Sequence, residues 1–205
     1  MKVAMIFSFI ALLGCQPSKV LEDTALDAQI VADTGDTGIV DMGAIQDERV
    51  SNIDPSTLPA GSNPCREPML IRVNHVVDGD TFYGTGDNGE EKVRIIGINT
   101  PEIGYNGDAS ECFADEALAQ SRALINGRLV WLTFDSMCED VYDRTLAYVH
   151  FDQGDQGFFE RVMLQGGYAK AYPFDDTDTF EAVFAEDEGQ AQNASVGGWG
   201  ACGWN

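Results

Sequence analysis

Apolar and polar positions alternate most clearly from residue 69 to residue 96. Met69-Leu-Ile-Arg-Val-Asn-His-Val-Val77 reads as a strand that ends at Asp78-Gly79-Asp80, a turn signal. Thr81-Phe-Tyr-Gly84 and Lys92-Val-Arg-Ile-Ile96 flank Gly86-Asp-Asn-Gly89, the pattern of a hairpin. From Glu111 to Ile125 the period changes to that of a helix, with Phe113, Ala117, Leu118, Leu124 and Ile125 on one face and Asn126-Gly127 as its stop. Leu129–Phe134 and Thr145–Phe151 predict two more strands, and residues 158–165 and 179–188 two more helices. Three strands, a helix, two strands and two helices predict an α+β domain built on a small five-stranded barrel.

The ends of the chain follow other patterns. Lys2 precedes an apolar run from Val3 to Leu13, too short to span a bilayer as a helix but of the length of a secretory signal. It ends in Leu12-Leu13-Gly14-Cys15, which resembles the lipobox of bacterial lipoproteins. That resemblance implies a signal peptide over residues 1–14 and acyl chains on Cys15. Each buried methylene would add about 0.8 kcal/mol of membrane affinity. The expected location is the outer membrane or cell surface. Residues 15–64 are poor in aromatics and rich in Asp, Thr, Gly and Ala, which predicts a disordered acidic linker. The folded domain is then expected over residues 65–205.

Setting Cys15 aside leaves Cys65, Cys112, Cys138 and Cys202, enough for two disulfides in an oxidising compartment, with three connectivities open. No two of them have zinc-ligand spacing, and His75 and His150 lie near neither a cysteine nor each other, so a zinc site is not expected. Both histidines are read as packing residues.

Charged groups concentrate in Asp78-Gly-Asp-Thr81, in Arg94-Ile-Ile-Gly-Ile-Asn-Thr-Pro-Glu102 and in Asp140-Val-Tyr-Asp-Arg-Thr-Leu-Ala-Tyr148. In this order they resemble the motifs of the staphylococcal nuclease family, with a match over about residues 66–200 that includes Gln165-Gly166 and Trp199. The resemblance implies a five-stranded OB-fold barrel with three helices. It also implies a calcium-dependent nuclease that cuts DNA or RNA at the 5′ P–O bond and leaves 3′-phosphates.

By the same resemblance, Arg94 and Arg144 hold the phosphate, a task suited to planar guanidinium forks. Glu102 is the general base. Asp80, Asn99 and the Thr100 carbonyl are metal ligands, and Asp78 is an outer carboxylate behind them. Tyr142 and Tyr172 contact the substrate phosphate or base. In the family fold the segments bearing Cys112 and Cys138 flank the site, which gives the expected pairing Cys112–Cys138 with Cys65–Cys202 closing the ends, other pairings remaining open. A monomer is expected.

Some positions depart from the family. Asn99 stands where the staphylococcal type has a second calcium-binding Asp, Val141 where a phosphate-contacting lysine is usual, and Phe174 where a tyrosine is usual. Metal affinity and grip on substrate should fall accordingly. Residues 65–205 hold 9 Lys and Arg against 25 Asp and Glu, so no basic surface exists to attract a polyanion. The charge balance implies a local positive pocket in an acidic exterior, or a salty habitat that screens the repulsion. The competing reading is a non-catalytic OB-type binding module on a lipid anchor.

Overall fold

The computed structural model describes residues 41–173 and 179–204. The expected lipidation at Cys15, the expected signal peptide and Phe174 lie outside the described residues. Seven strands run β1 Met69–Val76, β2 Thr81–Gly86, β3 Gly89–Ile95, β4 Gly97–Asn99, β5 Leu129–Thr133, β6 Thr145–His150 and β7 Lys170–Tyr172. Five helices are α1 Met42–Ser51, α2 Ala114–Ile125, α3 Phe159–Gln165, α4 Glu181–Ala194 and α5 Gly198–Ala201.

Strands β1, β2, β3, β6 and β5 close into a barrel in that order. The β3–β6 pairing is parallel and the other four are antiparallel. The five-stranded barrel expected from the alternation is therefore present, of the OB type that the resemblance implies. Alternation in β1 sends Ile71 and Val73 inward, and a register irregularity between Val73 and His75 resets the strand so that Val76 is buried as well. All six residues of β6 are buried, because the barrel interior covers one face and α3 the other. Each large apolar side chain so enclosed, Phe82, Leu132 and Leu146 among them, contributes about 1.5–3 kcal/mol relative to exposure.

The helices close the barrel from outside. Helix α2 buries Ala117, Ser121 and Ile125 on one face, and α4 buries Phe184, Asp187 and Ala191. Asp187 takes Arg161 Nε at 2.7 Å and Nη2 at 3.0 Å, which ties α4 to α3. The short ribbon of β4 and β7 was not foreseen from the pattern, since its strands are three residues each. Gly97 opens β4 at φ +81°, and a Cβ there would lie 2.3 Å from the Phe184 ring, so no other residue fits this corner.

Two expectations are corrected. The linker does not extend to residue 64: residues 41–64 pack on the barrel, and among the described residues α1 and α5 add to the three expected helices. Val50, Ile53 and Leu58 are buried. The polar residues that suggested a solvated tether act locally instead. Asp41 caps α1 by accepting from the Gly43 amide at 2.9 Å, and Asp54 accepts from Ser56 N–H at 3.0 Å. The segment is tied to the barrel by Trp131 Nε1 donating to Val50 O at 2.9 Å, by Leu129 N–H donating to Asp47 at 2.8 Å and by His150 Nε2 donating to Pro59 O at 3.0 Å.

The disulfides also differ from the expected Cys112–Cys138 and Cys65–Cys202. Cys65 bonds Cys138 and Cys112 bonds Cys202, with Cα separations of 5.7 and 5.9 Å. The reason is local. Cys65 N–H donates to Asp135 O at 2.8 Å, which lays the start of the domain along the loop that carries Cys138. Cys112, just before α2, meets the C-terminal cap of α5.

Candidate active site

The turn between β1 and β2 places Asp78 and Asp80. Asp78 accepts from the Asp80 amide at 3.1 Å, and Gly79 is required because a Cβ would lie 2.5 Å from the Thr100 side chain. Asp80 is buried. Its Oδ2 accepts from the Thr100 amide at 2.8 Å and the Thr100 hydroxyl at 3.1 Å, while Oδ1 faces Arg94 Nη1 at 3.3 Å. Three separate stretches of chain thus meet on one carboxylate.

Arg94, on β3, is only 6% exposed. Its Nη1 donates to Ile95 O, and its Nη2 donates to Ile98 O at 3.0 Å and Asn99 Oδ1 at 3.1 Å. Asn99 thus turns its amide oxygen toward the guanidinium. The backbone of the β3–β4 corner fixes the charge before any ligand arrives, so little reorganisation is needed.

Glu102 leaves the corner after Pro101 and stands in an exposed loop. Its amide donates to Glu111 Oε2 at 3.0 Å and its carbonyl accepts from the Glu111 amide at 2.9 Å, a reciprocal clasp. Partial burial, then the Asp80 charge, hold the Glu102 carboxyl above the usual range; Glu111 adds to this, and Arg94 and Arg144 oppose it. The charges of Asp80, Glu111, Arg94 and Arg144 thus all reach Glu102. Asp78 is pushed up to about 6 by burial first, then by Asp80 and Glu102.

Arg144 stands immediately before β6. Asp140 anchors it, accepting from Nε at 2.7 Å and pairing with Nη2 at 2.7 Å, and the guanidinium lies 5.5 Å from the centre of the Tyr142 ring. Burial would raise the Asp140 carboxyl, but hydrogen bonds from Arg144 and the Tyr142 amide hold it below the ordinary value. Tyr142 is 75% exposed, so one ring face is open to a base. Tyr172 is also exposed, on β7 opposite Gly97.

The sequence-predicted residues fall into two groups. Asp78, Asp80, Arg94, Asn99 and Thr100 are linked by direct contacts, and Glu102 lies within their field. Arg144 with Tyr142 approaches from the loop before β6. Two residues escaped sequence reasoning: Glu111, which holds the Glu102 backbone, and Asp140, which aims Arg144. Asp140 lies four residues before Arg144, a spacing that could have revealed it; nothing local marks Glu111.

A hard divalent cation suits this donor chemistry. Asp78, Asp80 and Glu102 repel one another, and a cation among them would relieve the repulsion that raises Asp78 and Glu102. Among the described residues no three His, Cys, Asp or Glu side chains form a cage on their own. A bound cation would therefore draw the rest of its shell from carbonyl and amide oxygens, water and a substrate oxygen.

Comparison with known proteins agrees with the geometry. Residues 92–201 match the family described as staphylococcal nuclease homologue. The chain is 30% identical over 128 residues to the thermonuclease of Staphylococcus intermedius, covering 62% of this chain and 74% of that protein. It is 28% identical to the thermonuclease of Staphylococcus hyicus over 131 residues, 64% of this chain and 76% of that one. The SPbeta prophage-derived endonuclease YokF of Bacillus subtilis is 27% identical over 68% of this chain, which spans 47% of that protein. The chain belongs to the staphylococcal nuclease homologue family, a nuclease family.

Proposed function

We propose that this protein is a calcium-dependent nuclease that hydrolyses phosphodiester bonds in DNA and RNA, with the 5′ oxygen leaving and a 3′-phosphate remaining. The observation that carries this reading is the Asp80–Arg94 pair at 3.3 Å, with Glu102 and Arg144 acting on the same space.

The chemistry follows from charge. Attack of water on a phosphodiester adds negative charge to a group that already carries it, so donors must be in place where that charge develops. Arg94 is locked by three backbone and side-chain acceptors, and Arg144 is aimed by Asp140 while keeping 22% of its side chain accessible. Glu102 takes the proton from the attacking water. Its carboxyl is raised above the usual range, which brings it nearer neutrality and improves it as a base. The Glu111 clasp holds its backbone in place, and Tyr142 offers a stacking face that accepts any base. Calcium, held by Asp80 with oxygens from Asn99 and Thr100, would supply further positive charge to the phosphate.

For location, we infer an exported lipoprotein anchored through Cys15, a monomer at the outer membrane or cell surface. Two disulfides support an oxidising compartment. The test of function is incubation of the purified chain with single-stranded DNA and RNA, with calcium or with chelator, followed by end analysis. Cleavage that needs calcium and leaves phosphatase-sensitive 3′ ends supports the proposal. Binding without cleavage would favour the non-catalytic module instead.

A further inference from the structure

Among the described residues Arg49, Arg66, Arg72, Arg94, Arg144 and Arg161 each pair with a carboxylate, whereas Lys92, Arg122, Arg128 and Lys170 do not. Lys170 is set apart by its surroundings. Among the described residues it has no ion pair, and its ammonium sits 5.5 Å from the Trp199 ring centre and 5.3 Å from that of Trp204. Two aromatic faces hold this charge.

Its position is informative. Lys170 on β7 is the register partner of Asn99 on β4. Directly opposed residues of an antiparallel pair project to the same face, so Lys170, Asn99 and, two residues on, Tyr172 share one side of the ribbon. Asn99 contacts Arg94 on that side. Lys170 also lines a cavity of about 330 Å³ whose other walls include Asn99, Thr100, Pro101, Glu111 and Trp204. The cavity therefore shares Asn99 and Thr100 with the phosphate site. Glu111 faces it too, with its Oε2 engaged by the Glu102 amide.

Resting on the nuclease reading above, we propose that this cavity is a second phosphate subsite, in which Lys170 holds the phosphate next to the one being cut. A polynucleotide running over the ribbon places one phosphate at Arg94 and Arg144 and its neighbour at Lys170. The device suits a chain with a formal charge of −22: with no basic surface to displace the strand's counterions, affinity depends on a few fixed cations set along the strand's path. Trp199 and Trp204 keep the ammonium in place, so little side-chain freedom is lost on binding.

The test uses the full chain and its Lys170→Met variant, which keeps an aliphatic stem against the two indoles; melting temperature checks the fold. With calcium, kcat/KM is measured on a thymidine dinucleotide with one phosphodiester and on a trinucleotide with two. The variant should lose about tenfold on the trinucleotide, the size of one charge-assisted contact, and stay within twofold on the dinucleotide. Lys170→Arg should restore the preference. In chelator, anisotropy of a labelled oligothymidylate should show a log–log salt slope reduced by about 0.7 in the variant. Equal losses on both substrates, or an unchanged salt slope, would overturn the subsite. A chain that cleaves neither substrate sinks the nuclease reading, and the salt slope still judges Lys170.

Discussion

Arg94 and Asp80 form a buried pair, Nη1 to Oδ1 at 3.3 Å, in which each residue is held by backbone from a different segment. The Thr100 amide fixes Asp80 and the Ile95 and Ile98 carbonyls fix Arg94. The pair locks the acidic β1–β2 turn to the β3–β4 corner, so it organises both the oxygen donors and the cation expected at the phosphate.

Replacing Arg94 with lysine keeps one positive charge but cannot reproduce contacts to Asp80, Asn99 and two carbonyls together. The expected result is a fall in kcat of about 10²–10³-fold, the range for removing one preorganised donor. Steady-state kinetics on single-stranded DNA reads it.

Asn99 supplies an oxygen without a charge, and that oxygen already accepts from Arg94 at 3.1 Å. Asn99→Asp adds a second carboxylate beside Asp80. The calcium concentration for half-maximal activity should drop about tenfold, since affinity follows the charge count of the ligands. Calcium titration of activity and calorimetry on the two proteins give the comparison.

The disulfides should separate in their effects. Each closes a long loop, spanning 73 and 90 residues, and loss of either should cost about 4–5 kcal/mol in the chain-entropy account. Cys112 follows Glu111, which clasps Glu102, whereas Cys138 lies two residues before Asp140, which holds Arg144. Serine at both Cys112 and Cys202 should therefore lower kcat as well as melting temperature. Serine at both Cys65 and Cys138 should lower the melting temperature and raise KM, by loosening the loop through which Asp140 aims Arg144.

Much of this was readable in the chain. The barrel strands were legible because β1, β2, β3, β5 and β6 carry period-2 alternation or continuous apolar runs, and the site residues because three dense charged motifs break that apolar pattern. What escaped lacked a local signal. Helix α1 buries only Val50 firmly, and its Asp and Gly residues look like solvated linker until the barrel supplies Trp131 and Leu129 as partners. The β4–β7 ribbon is too short for periodicity, and so the role of Lys170 was hidden. The cysteine pairing depended on Cys65 running beside Asp135, a long-range contact that spacing does not encode.

His150 links the N-terminal segment to pH. Burial first pushes its pKa down to about 4, although the hydrogen bond to Pro59 O opposes this. The unfolded chain binds the proton more readily, so His150 contributes stability in full above about pH 6.5 and loses it as pH falls toward 4, by up to about 3 kcal/mol. Glu160 acts oppositely: burial raises its carboxyl well above the ordinary value, so its contribution weakens as pH rises. In a Glu160→Gln background, denaturant unfolding between pH 4 and 7 should keep the rising contribution of His150 beside the opposing ones of Asp78 and Glu102, and His150→Gln should remove the rising part.

The central claim is that Glu102 acts as base beside the Asp80–Arg94 pair. It is tested most directly by kcat of Glu102→Gln on single-stranded DNA at saturating calcium. The account expects a loss of at least about 10²–10⁴-fold, the usual contribution of a general base, with KM changed little and the melting temperature preserved. A kcat within twofold of the parent protein would contradict it.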